Sequence, residues 1–110
     1  MEIARYDILL VDLNRNNPPG GAEMIKVRPC VVISPDEMNR YLRTLVVVPV
    51  TSAPRSYPTR IRIRVQKKSA WMVVDQVRTI DRKRVIRKLG RISQEEARML
   101  SEVLRETYVE

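Results

Sequence analysis

The stretch that decides the fold is TRIRIRV, Thr59-Arg60-Ile61-Arg62-Ile63-Arg64-Val65. Basic and apolar side chains alternate without a break. Successive side chains of a strand point to opposite faces, so Arg60, Arg62 and Arg64 share one face and Ile61, Ile63 and Val65 the other. This is a strand with one dry face and one wet one. Its arginines recur every ~6.6 Å, a spacing that suits a row of phosphates. The same charges would also protect an edge strand from aggregation, and the sequence leaves both readings open.

Working outward, the same signal recurs in shorter pieces. RYDILLVDL (5–13) has a four-residue apolar centre that suits a largely buried strand. NRNNPPGGAEMIK (14–26) carries Asn, Pro-Pro and Gly-Gly, so it is a loop, and a long one for so short a chain. Residues 27–34 form a second strand, stopped by Ser34-Pro35-Asp36, and 36–43 a helical turn. TLVVVPV (44–50) is a third strand, in which Pro49 favours an edge or a bulge. TSAPRSYP (51–58) is a loop. AWMVVDQVRTI (70–80) reads as one or two strands interrupted near Asp75-Gln76, DRKRV (81–85) as a turn of helix, and RKLGRI (87–92) as a last strand. SQEEARMLSEVLRETY (93–108) is a helix. Ser93 and Glu96 make a capping box, and Ala97, Leu100, Val103, Leu104 and Tyr108 fall on one face. Many short strands before a terminal helix favour a small, mostly antiparallel β-barrel or half-barrel with the helix packed against it. The length, 110 residues, fits one domain over 1–110.

The net charge is +8. Residues 54–91 hold 13 Lys/Arg against two carboxylates, and the remainder is slightly acidic. Such a field points to an anionic partner. The single cysteine, Cys30, excludes an internal disulfide and packs as a small hydrophobe. The first 13 residues have neither the basic lead nor the apolar core of a signal peptide, and no apolar run reaches membrane-spanning length. The expectation is a cytoplasmic protein without membrane contact.

Histidine is absent. That removes the usual general base and, with one cysteine, every Cys/His zinc site. No GxxxxGK[ST] or GxGxxG phosphate loop occurs. Arginine, threonine and carboxylate beside loops remain. These suffice for cutting RNA, which carries its own nucleophile in the 2′-hydroxyl. Cleavage needs that hydroxyl in line with its phosphate and the charge on the phosphoryl oxygens stabilised. No metal or cofactor is needed for this.

Three segments, in order, resemble the MazF/PemK-type toxins. GGAEMIKVRPCVVIS resembles the family's Gly-rich loop and Glu preceding an Arg-Pro that opens a hydrophobic strand. VVVPVTS resembles its next strand, ending in a threonine. DQVRTIDRKRV resembles its D/E-Q-x-R-T-I-D segment. The resemblance spans roughly residues 5–105. It implies an SH3-like antiparallel β-barrel of the CcdB/PemK kind with short helical turns and a C-terminal helix. It further implies a homodimer, a metal-independent endoribonuclease cutting single-stranded RNA to 2′,3′-cyclic phosphate and 5′-hydroxyl ends, and an antitoxin with an acidic disordered tail. The competing reading on the same barrel is a non-nucleolytic toxin that poisons a protein such as DNA gyrase.

By the resemblance, Arg28 is the catalytic arginine, Thr51 the catalytic threonine and Glu23 the loop glutamate. Ser52, Arg55, Asp75, Gln76 and Arg78 fall where members contact RNA. Some members carry a second arginine two residues before the Asp-Gln pair; here that residue is Val73. Arg28 cannot act as a base, because guanidinium keeps its proton. It donates to phosphoryl oxygens or assists the leaving 5′-oxygen. Glu23 takes the 2′-proton or only orients Arg28. Each residue has a plainer reading: Arg28 snorkels or pairs with Glu23, Thr51 caps a turn, and Trp71, a candidate to stack on a base, fills core.

Overall fold

The computed structural model describes residues 1–13, 26–53 and 57–110. Seven strands, β1 (Asp7–Asp12), β2 (Val27–Val32), β3 (Thr44–Thr51), β4 (Arg60–Val65), β5 (Lys68–Val73), β6 (Arg78–Asp81) and β7 (Val85–Arg91), form one curled antiparallel sheet. Its order is β4-β5-β3-β2-β1-β7, with β6 also pairing β3. Helix α1 (Asp36–Tyr41) joins β2 to β3, and α2 (Gln94–Tyr108) closes the chain. Short 3-10 turns occupy Val74–Gln76 and Arg82–Arg84. This is the mostly β half-barrel with a terminal helix that the strand pattern predicts.

The alternation at 59–65 becomes β4, with Ile61 and Ile63 buried and Arg62 and Arg64 exposed. β4 is an edge of the sheet, as its charges allow. It turns into β5 through Gln66 and Lys67, whose φ angles of 49° and 70° match a two-residue hairpin turn.

Two apolar clusters sit on opposite faces of the sheet. One holds Ile8, Val31, Val48, Val50, Ile61, Ile63, Met72 and Leu100, with Ala97, Val103 and Leu104 of α2 packed on it. The other holds Leu9, Val11, Cys30, Val32, Leu45, Val47 and Ile80. Neighbours in β1, β2 and β3 thus belong to different clusters, which is why these strands read as unbroken apolar runs. Ser93 accepts from the Glu96 N–H, and the Glu96 carboxylate accepts from the Ser93 N–H, which starts α2 as the sequence predicts. At its far end the Tyr108 hydroxyl donates to the Val74 carbonyl at 2.7 Å, tying the helix to the turn at 74–76.

Pro49 corrects an expectation. β3 is central, with β2 along one side and β6 then β5 along the other. Val46 exchanges hydrogen bonds with Ser34 and Ile33 on the β2 side, so strand alternation aims position 49 away from β2. On that side β3 leaves β6 after Val47 and joins β5 at Val50. Pro49 falls in the gap, where a missing N–H breaks no ladder bond. The proline marks a change of partner in the middle of the sheet.

Candidate functional site

Strand pairing brings Arg28 and Thr51 to one end of the sheet. β2 and β3 pair Cys30 with Pro49, Val31 with Val48 and Val32 with Val47. The pairing ends at Cys30 and Pro49, and Arg28 and Thr51 each lie two residues beyond it, toward the same end of the sheet. Arg28 and Thr51 line one cavity of ≈450 Å³, together with Ser52. Its walls are apolar, from Leu10, Pro29, Val50 and Leu89, and its rim is polar, with Ser69, Lys68 and Arg87. Lys68 and Arg87 were not foreseen as site residues. Their signal is pairing: Leu10 of β1 lies beside both Pro29 and Arg87, so β7 delivers its arginine next to β2.

Thr51 is half-buried at the last position of β3, and its Oγ1 accepts from the Ala53 N–H at 3.2 Å. This is the turn-capping bond of the plainer reading. It is compatible with a second use, because an accepting hydroxyl still carries its own proton to donate. Arg28 is half-buried at the second position of β2. Lys26, just before that strand, has a φ of 78°, a left-handed backbone at the entry to Arg28.

Asp75, Gln76 and Arg78 gather at a second hollow of ≈380 Å³ rather than in the Arg28 cavity. Arg78 nonetheless shares the face of the sheet that carries Thr51. Arg78 pairs with Val47 in β6–β3, and Val47 shares the Pro49 and Thr51 face by alternation. The cysteine reports the same arrangement. Burial pushes the Cys30 thiol up to about 12, and the guanidiniums of Arg78 and Arg28 oppose that rise. Both cations therefore act on one buried sulfur atom.

Asp75 is tied into the fold. Its Oδ1 accepts from the Thr59 hydroxyl at 2.9 Å and is ion-paired with Arg60 Nη1. The Arg60 side chain is only 12% exposed, and its guanidinium lies 5.3 Å from the centroid of the Tyr57 ring. So the first arginine of the alternating row is a structural partner of Asp75, not a free phosphate ligand. Arg62 and Arg64 remain exposed, donating to Ser69 Oγ and the Lys67 carbonyl. Val73, in place of the second family arginine, is buried and lies opposite Arg60.

Glu23 and Arg55 lie outside the described residues. Among the described residues, no cluster of three or more His, Cys, Asp or Glu side chains could hold a metal ion, and no helix is long and apolar enough to cross a membrane.

Comparison with known proteins agrees with this fold. The sequence pattern of the "PemK-like, MazF-like toxin of type II toxin-antitoxin system" family matches residues 4–108. An endoribonuclease MazF of Staphylococcus epidermidis is 35% identical over 98 residues, covering 84% of this chain and 79% of that one. Among solved structures, MazF from Deinococcus radiodurans superposes with a TM-score of 0.83 at 21% identity, over 97% of this chain and 96% of that one. An endoribonuclease bound to its cognate antitoxin, from a mycobacterial species, superposes at 0.78 with 17% identity, over 94% and 92%. At those identities the two structures establish the shared fold.

Proposed function

The chain belongs to the PemK-like, MazF-like toxins of type II toxin–antitoxin systems, and on that premise we propose that it is an endoribonuclease that cuts single-stranded RNA, messenger RNA included, without a metal ion. The observation that carries the reading is the meeting of Arg28 and Thr51 at one polar-rimmed cavity. A guanidinium presents fixed, charged donors in a fork that matches two phosphoryl oxygens. The Thr51 hydroxyl adds a neutral donor.

The chemistry balances with these groups and a proton acceptor and donor, a carboxylate or water. The 2′-oxygen attacks phosphorus, the bond from phosphorus to the 5′-oxygen breaks, and a 2′,3′-cyclic phosphate forms. Negative charge grows on the phosphoryl oxygens in between, where Arg28 and Thr51 donate. Fixed donors aimed at developing charge are worth ~3–4 kcal/mol each in comparable sites. The 2′-proton leaves to a carboxylate or water, and the departing 5′-oxygen gains one from water while Arg28 can donate a hydrogen bond to it. Glu23, five residues before Arg28, has two roles that fit, proton acceptor and anchor for the guanidinium. A pH–rate profile of Glu23→Gln separates them, since only loss of a base removes the acidic limb.

Ser52, Asp75, Gln76 and Arg78 are the proposed RNA contacts, together with Arg55, which lies outside the described residues. We further propose a homodimer acting in the cytoplasm, restrained by an antitoxin whose acidic tail meets the +8 charge of this chain. The test incubates purified protein with single-stranded RNA in excess EDTA. The expected products carry cyclic-phosphate and 5′-hydroxyl ends, and a 2′-deoxy nucleotide at the cut abolishes them. Intact RNA would overturn the reading in favour of a non-nucleolytic toxin with a protein target.

A further inference from the structure

Trp71 lies beside the proposed catalytic pair in a way the sequence does not reveal. It is paired with Thr51 across β3–β5 and with Arg62 across β4–β5. Arg62, Trp71 and Thr51 therefore form one cross-strand row, and Thr51 lines the same cavity as Arg28. Opposed side chains in such a row stand ~5 Å apart at Cβ, within reach of an indole ring. The strand neighbours Ala70, Met72 and Val73 are all buried, whereas Trp71 is only half-buried and belongs to neither apolar cluster. Arg62, at the outer end of the row, is exposed and is held by its bond to Ser69 Oγ at 2.9 Å.

An aromatic ring between two guanidinium-bearing positions has the composition of a single-strand platform, in which the ring stacks on a base and the cations take the flanking phosphates. We propose that Trp71 is the stacking platform for a nucleobase flanking the scissile phosphate, with Arg62 as the cation for that nucleotide's backbone. The proposal rests on the ribonuclease reading and deepens it. It assigns the outer part of the site to base capture and the inner part, Thr51 and Arg28, to the phosphate. Stacking of this kind tolerates every base, so Trp71 supplies affinity and position rather than the recognition sequence.

Trp71 is the chain's only tryptophan, so its emission reports on this one site. The probe is a single-stranded RNA oligomer spanning a mapped cleavage position, with a 2′-deoxy nucleotide there to block cutting. Binding is followed by gel shift and by tryptophan fluorescence. Quenching on binding is expected. Trp71→Ala should weaken binding roughly 5- to 150-fold, and Trp71→Phe should stay within about fivefold of wild type. An abasic nucleotide on one side of the cut should cost wild type that same factor and cost Trp71→Ala nothing further. A merely structural tryptophan would not produce that cancellation. Tight binding with unchanged emission, or an abasic penalty that persists in Trp71→Ala, overturns the platform and leaves the ribonuclease reading intact. Failure of wild type both to cut and to shift RNA overturns the ribonuclease reading, and the platform falls with it.

Discussion

Replacing Thr51 with valine separates the two uses of its hydroxyl. The structural use is one bond, 3.2 Å long and exposed, from the Ala53 N–H to Oγ1. A neutral hydrogen bond contributes about 0.5–1.5 kcal/mol net, and an exposed one sits at the lower end because water replaces it. Valine keeps the β-branched shape that suits the end of β3. A domain of this size is stable by about 5–15 kcal/mol, so Thr51→Val stays folded. The catalytic use is far larger. Loss of one donor to a developing oxyanion lowers kcat about 10²- to 10³-fold. Thr51→Val should therefore cut RNA 10²- to 10³-fold more slowly, while its urea midpoint barely moves. Thr51→Ser keeps the hydroxyl and should remain within about tenfold of wild type. Single-turnover cleavage of end-labelled RNA, run beside urea unfolding, measures both. If Thr51→Val cuts within a few-fold of wild type, the hydroxyl is only a turn cap and the reasoning fails.

Other consequences follow from the fold. Cys30 should resist thiol reagents in the native state at pH 8, because burial holds the thiol neutral up to about 12. The unfolded thiol ionises near 9.0 and the folded one near 12, so this group's stabilising share is full below about 9 and fades as pH rises toward 12. Urea unfolding at pH 8 and pH 10.5 should show a steeper alkaline loss for wild type than for Cys30→Ala. The Arg60–Asp75 pair predicts an asymmetry. Asp75→Ala strands a mostly buried guanidinium and should cost about 2 kcal/mol, whereas Arg60→Met leaves a carboxylate 43% exposed and should cost about 1 kcal/mol or less. Denaturant midpoints of the two variants decide it. Lys67→Gly should raise stability by about 1 kcal/mol, since φ of 70° strains any residue with a Cβ, and a rise in Tm checks it.

Local chemistry made much of this fold legible. Strict alternation located β4, the capping box located the first turn of α2, and the spacing of Ala97, Leu100, Val103 and Leu104 gave its buried face. Pro49 misled because a strand that changes partner along one side looks, locally, like an edge. Resemblance pointed to Arg28 and Thr51, but what places them together is the register of β2 on β3, a pairing between segments more than a dozen residues apart. The same holds for Lys68 and Arg87, which reach the cavity through separate strand pairings. The arginine row shows the reverse. Its common face was readable, but the capture of Arg60 by Asp75 depends on the turn at 74–76, which packs under α2. Trp71 stayed ambiguous because its neighbours are apolar on both sides, and only the pairing with Thr51 tells which face it takes.

In the proposed reaction Arg28, at one cavity with Thr51, stabilises the charge that develops as RNA is cut. The most direct test of that role is the single-turnover cleavage rate of Arg28→Ala against wild type, in excess EDTA. Arg28→Ala should cut at least about 10³-fold more slowly, because the missing donor is charged as well as fixed. A rate for Arg28→Ala within tenfold of wild type would contradict that role.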